Sequence, residues 1–254
     1  MKQGDGAAVL SLVGRFKSAE LVLLEFSGLK AGQRFDAAFP ADEYPAIPRW
    51  DPLTYFESGL PGIDAKIGSL ADAIAGSGAR RVRLAASCSG VALLGPLAAG
   101  LSALGLRVVE LVAVDPYLVR PRDVRSALQR IAAGLGITDA VPEAPPDERS
   151  VRAMISAWIN EFAGEADMDP VEQALFQEGL FSRYLGWVDY LLWAASGVKA
   201  ADGHDVMAFG VKAAPRVDEI LADVGEVSEL RYESTGTPLL LRADVIADIR
   251  KHVT

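Results

Sequence analysis

The stretch VRLAASCSGVALLGPLAAGL, residues 82–101, carries the first decision about the fold. Arg80–Ala85 reads as a strand, Ala86-Ser87-Cys88-Ser89-Gly90 as a sharp turn, and Val91–Leu104 as a helix closed by Gly105. Ala86 and Gly90 stand two places either side of Cys88. Small residues are needed there when a strand and the helix after it nearly touch around a nucleophile. A thiol at this point stands at a helix N-terminus, where N–H groups and the helix dipole favour an anion, so thiolate forms more readily. The same residues also fit a buried cysteine packed as a small hydrophobe.

Working outward, Val108–Val114 is a second apolar strand, followed by Asp115-Pro116-Tyr117. Strand, helix and strand in this order imply a parallel pair with a right-handed crossover. Asp115 then emerges at a carboxyl strand end, the place for an acid that partners the nucleophile; it also fits a strand-end turn before proline. Val9–Val13 and Leu21–Phe26 are further short strands, residues 39–62 a proline-rich loop, and Ile63–Ala75 a helix. Val206–Val211 and Val227–Glu233 read as late strands, with Pro238–Val253 a closing helix. Residues 121–195 form a mostly helical insertion. The expected organisation is an α/β core from residues 1–120 and 196–254, with 121–195 as a helical lid.

Composition narrows the function. The chain has 254 residues, half of them hydrophobic, and a net charge of −9. A chain with no basic stripe is not suited to nucleic acid. Residues 84–106 carry no charge over 23 positions, long enough to span a bilayer. Their glycines, serines and proline, with strands at both ends, read instead as buried strand plus buried helix, and no membrane partner is expected. The first residues, MKQGDGAAV, lack the apolar centre of a signal peptide, so a cytoplasmic location is expected. One cysteine excludes an internal disulfide and a cysteine-rich metal site, and neither metal nor cofactor is expected. The two histidines are His204 and His252. Ten acids against two arginines between Asp139 and Glu178 read as a solvated face.

These residues resemble the thioesterases of polyketide and nonribosomal-peptide assembly lines. Their elbow and their strand ending L-x-D-x-Y correspond to Cys88 and VAVDPY (112–117), with Ala113 for leucine. GVKAADGHDVMAFG (197–210) and YESTGTPLLLRADVIADIRKHV (232–253) extend the likeness over roughly residues 65–253. The resemblance implies an α/β-hydrolase fold, a mostly parallel sheet with helices on both faces. Within the superfamily, a stand-alone chain with a cysteine nucleophile looks most like the Dieckmann cyclases that release tetramic acids and pyridones. It implies an acyl or peptidyl carrier protein bearing the substrate, a Cys88 acyl-enzyme, Asp115 in a triad, and an oxyanion held by N–H groups at Ser89 and near Ser27.

The sequence departs from the family at the histidine. The family's G-x-H loop falls on Gly236-Thr237-Pro238, so proline takes the histidine position. Both histidines are expected at the sheet edge opposite the nucleophile. Hydrolysis needs an activated water, whereas ring closure needs only the carbanion of a tethered β-dicarbonyl. Trp158, Trp187 and Trp193 fit either water exclusion or helix packing. Arg120, Arg122, Arg125 and Arg130 fit either an acidic carrier protein or solvated helix charge. An editing thioesterase and a non-catalytic acyl- or partner-binding relative remain alternatives.

Overall fold

A computed structural model of the chain describes residues 20–26, 34–56, 62–138, 141–142, 147–165 and 169–253. The expected strand Val9–Val13 lies outside them. The chain divides into two compact units, one of Met1–Pro52, Ile67–Leu118 and Val198–Thr254, the other of Leu53–Lys66 and Val119–Gly197.

The first unit is built on a sheet of β1 (Glu20–Leu24), β2 (Arg49–Trp50), β3 (Arg81–Ser87), β4 (Arg107–Val114), β6 (Val206–Val211) and β8 (Val227–Tyr232). Among the described residues it runs β2-β1-β3-β4-β6-β8 with every neighbouring pair parallel. That strand succession, with a sharp turn and helix after β3, is an α/β-hydrolase core. A two-stranded parallel sheet, β5 (Lys199–Ala200) with β7 (Leu221–Ala222), lies in the same unit.

Side chains alternate across a strand. Leu21, Leu23, Ala85, Val112, Val114, Met207 and Phe209 share one core cluster with Leu239, Leu240, Val245, Ile249 and Val253. The last three belong to α7 (Ala243–Val253), the closing helix. Val22, Leu24, Leu84, Ala86, Leu111 and Ala113, of opposite parity, are just as buried, and α3 (Leu94–Ala103) packs on β3 and β4. Burial on both faces explains why these strands read as unbroken apolar runs.

The second unit contains α1 (Pro52–Phe56) from Leu53 on and the first turn of α2 (Ile63–Gly76). Its main helices are α4 (Pro121–Gly134), α5 (Glu148–Glu165) and α6 (Pro170–Ala195), with α6 packed on both of the others. Val151, Ile155, Trp158 and Ile159 form the buried stripe of α5, at the helical spacing the sequence displays. Asp169 caps α6, accepting from the N–H groups of Val171 at 2.8 Å and Glu172 at 3.0 Å. Pro170 follows at the first helical position, where its missing N–H is harmless.

Several expected boundaries change. The loop expected at 39–62 contains β2 and α1; neither exceeds five residues, too short for a periodic signal. The strand expected to reach Phe26 ends at Leu24. The helix expected from Val91 starts earlier, as a 3-10 turn over Cys88–Leu93 that runs into α3. Pro238–Val253 is a 3-10 turn, Leu239–Leu241, and then α7, because Arg242 between them has extended backbone. The uncharged stretch 84–106 resolves into the end of β3, this 3-10 turn and α3. Among the described residues no helix is long and apolar enough to cross a membrane.

Candidate functional site

The last residues of β3 and β4, Ser87 and Val114, are register partners. Cys88 and Asp115 follow them directly, so the two lie on adjacent strands at the carboxyl edge of the sheet. Neighbouring strands are about 4.8 Å apart. The N–H of Tyr117 donates to the Cys88 carbonyl at 3.3 Å, and the N–H of Asp115 to the Phe209 carbonyl at 2.6 Å. The exit of β4 is thereby fastened to the elbow on one side and to β6 on the other.

Cys88 has φ of 53° and Asp115 of 48°. A side chain rarely adopts this region, and such conformations collect where a site holds them in place. At Cys88 the sign change turns the chain from strand to helix in one residue. Close approach follows from small neighbours: a Cβ on Gly90 would stand 3.6 Å from Ala86 Cβ and 3.3 Å from the Phe26 ring. Cys88 is half-buried and Ser89 buried. Ser89 and Gly90, in the first turn of the 3-10 segment, supply backbone N–H groups of the kind that hold an anion. Ser27, the other residue expected to hold the oxyanion, lies outside the described residues.

Asp115 is half-buried, and loss of solvation pushes its carboxyl above the usual carboxylate range. The histidines are elsewhere. The Nδ1 of His204, just before β6, is 2.7 Å from the Ala201 carbonyl. His252 on α7 pairs through Nε2 with Glu110 Oε1 at 2.8 Å, and Glu110 lies in the amino-terminal half of β4. Residues 233–238, including Pro238, are exposed.

Trp158, Trp187 and Trp193 pack within the second unit. Trp158 is buried. Trp187 and Trp193 flank the buried Tyr190 at ring distances of 5.7 and 5.9 Å, and Phe56 meets the same ring at 5.2 Å. On α4, Arg122 and Arg130 are exposed, as is Arg120 just before it, while Arg125 is half-buried.

One buried polar group in this unit leaves little trace in the sequence. Lys66 and Asp189 are both buried. The Lys66 ammonium donates to the Phe56 carbonyl at 2.8 Å and lies 3.4 Å from Asp189 Oδ2, which also accepts from Arg152 at 2.9 Å. Lys66, Asp189 and Arg152 line a cavity of about 210 Å³ with Gly62, Ile63 and Trp193. The one sequence signal was an acid inside the apolar run WVDYLLW (187–193).

No family model and no curated protein matches the chain. Among solved structures, the chain is similar to the Vlm2 thioesterase domain bound with a dodecadepsipeptide, at 14% identity and a TM-score of 0.49, over 93% of this chain and 92% of that one. It is also similar to the SrfTE thioesterase domain, described as cyclising the lipopeptide antibiotic surfactin, at 10% identity and a TM-score of 0.47, over 94% and 93% of the two chains. Human thioesterase 2 follows at 12% identity and a TM-score of 0.45, over 93% and 94%.

Proposed function

We propose that this chain is a Dieckmann cyclase that takes an aminoacyl β-ketoacyl group from a carrier-protein thioester and releases it as a tetramic acid or pyridone. The observation that carries the reading is a cysteine at positive φ in a strand-to-helix turn, beside an aspartate at the same sheet edge. A thiolate at the start of a helical segment attacks a thioester without needing the base a serine requires. Carrier thiolate leaves, one thioester replaces another, and the acyl group stays on Cys88. The carbon between two carbonyls then attacks the acyl carbonyl, and Cys88 thiolate departs as the ring closes. Tethering of nucleophile and electrophile is worth roughly 7–11 kcal/mol in well-oriented cases. N–H groups around Ser89 would hold the oxyanion. Hydrolysis, by contrast, needs a base able to activate water, and the histidines present are engaged elsewhere, His204 by the Ala201 carbonyl and His252 by Glu110.

Purified protein and Cys88→Ala, incubated with a synthetic N-(β-ketoacyl)aminoacyl thioester, test this by mass spectrometry of products and intact protein. Cyclic dione formed by the wild type well above variant and background is the expected result. Free acid would make the protein a hydrolytic thioesterase. With neither an adduct on Cys88 nor turnover, the catalytic reading would be abandoned in favour of a binding role.

A further inference from the structure

Ring closure requires that something take the proton from the carbon between the two substrate carbonyls. Both histidines of the chain are engaged by other groups, His204 on the Ala201 carbonyl and His252 on Glu110 with its ring against Phe209. The segment after β8, residues 233–238, carries one titratable side chain, Glu233, which is exposed and engaged by Lys212. At the end of β1, Glu25 is buried, bound by Arg49 at 2.9 Å and by the N–H of Phe35. On the β8 side, Arg231 is held by Glu229 and by the carbonyls of Val211 and Ala214. Asp115 differs from these carboxylates: it forms no ion pair among the described residues, and desolvation is what shifts its acidity. It is also the one that follows a register partner of the residue before Cys88.

We propose that Asp115 is itself the base, taking the proton directly from the substrate carbon with no histidine in between. This rests on the cyclase reading and names the group that reading lacks. One Asp115 oxygen accepts the proton as the C–H bond breaks. The electron pair becomes the enolate, its carbon bonds to the acyl carbonyl, and the C–S bond to Cys88 breaks. The proton then passes from Asp115 to the departing thiolate or to solvent, restoring the site. An aspartate, even one raised by burial, is a weak base towards water and adequate towards a carbon flanked by two carbonyls. The same substitution of aspartate for histidine therefore favours ring closure over hydrolysis.

Single-turnover measurements on Asp115→Asn and Asp115→Gly test the assignment, since both replacements tolerate positive φ. Acylation of Cys88, read by intact mass, should stay within about threefold of wild type. Release of dione should slow by about 10²–10⁴-fold, the usual range for a lost general base. In Asp115→Gly, added formate or acetate should restore release in proportion to concentration, acetate more than formate because it is more basic. Dione release by Asp115→Asn at the wild-type rate would overturn the assignment. So would an Asp115→Gly variant that acylates normally but that no carboxylate restores. Both outcomes leave the cyclase reading standing. A wild type that gives free acid or no Cys88 adduct overturns the reading and the assignment together.

Discussion

Cys88 and Asp115 share a backbone condition with Asp202 and Asp223, which lie in the turns between the late strands. Left-handed backbone costs an L-residue about 1–2 kcal/mol, least for aspartate and asparagine. At Asp115 a second penalty adds to it, because burial disfavours the carboxylate. A folded pKa raised above the unfolded value means that the stabilising contribution is complete below pH about 3.9 and fades as pH rises through the folded value. Asp115→Asn removes the charge while keeping a residue suited to φ of 48°. Its melting temperature should therefore match wild type near pH 4 and exceed it at pH 7, with the gap opening as pH rises. Thermal melts across that range check it; a variant less stable at pH 7 would mean the carboxylate holds the elbow together. The identities of both residues were legible in the sequence, from A-x-C-x-G and from an acid after an apolar strand. Their shared positive φ was not, because small neighbours permit a sharp turn without dictating its dihedral angles. That neither histidine falls on Gly236-Thr237-Pro238 was legible too, since two histidines are easily located. That Asp115 forms no ion pair among the described residues was not, because ion pairing depends on which side chains the fold brings together.

Among the elements, the 3-10 turn and α3 bring the chain back along β3, and glycines set their packing limits. Gly90 is close to Phe26 and Ala86, where a methyl group would need shifts of a few tenths of an ångström. Gly95 is far tighter: a Cβ there would stand 1.9 Å from the Ala200 carbonyl oxygen, in β5. That neighbour is backbone, hydrogen-bonded into the small sheet, and has nowhere to rotate. Gly95→Ala should destabilise by about 3 kcal/mol, the upper end for an overpacked core, and urea midpoints will show it. Gly90→Ala should fall well short of that. The small sheet explains Gly95, yet two-residue strands carry no periodicity, so the sequence offered no reason for this glycine within an apolar helix. The large strands were readable because burial on both faces selects continuous runs such as ELVLL and RVVELVAV. At the start of α6, Asp169 provides a separate check. Its carboxyl is held below the usual range, first by the N–H of Glu172 and then by that of Val171. A depressed folded pKa gives stabilisation present above the unfolded value and lost as pH falls through the folded one. Asp169→Ala should lower the melting temperature at pH 7 and lose most of that effect towards pH 2.

At the scale of the chain, the formal charge of −9 says little about where charge matters. The acids of residues 139–178 are exposed where described, whereas among its described residues the second unit buries one acid, Asp189, against Lys66 from a segment 123 residues away. Composition and periodicity cannot report such a pair, because each partner is judged against its own neighbours. Lys66 falls within a helix whose apolar residues mask it, and Asp189 within an aromatic run. Its own burial raises the Asp189 carboxyl above its usual range, while Arg152 and Lys66 pull against that rise. Pairs of this kind contribute little beyond an apolar replacement but are costly to break on one side. Asp189→Ala leaves Lys66 with the Phe56 carbonyl and ring but no facing carboxylate, and should cost about 3–5 kcal/mol. Lys66→Met should cost less, because Arg152 still meets Asp189 at 2.9 Å. The double variant Lys66→Met with Asp189→Leu should recover most of the stability lost in Asp189→Ala, and the non-additivity is the quantity to measure by denaturant unfolding. Additive losses under about 1 kcal/mol each would mean that water reaches both charges through the adjoining cavity, and that the pair is solvated.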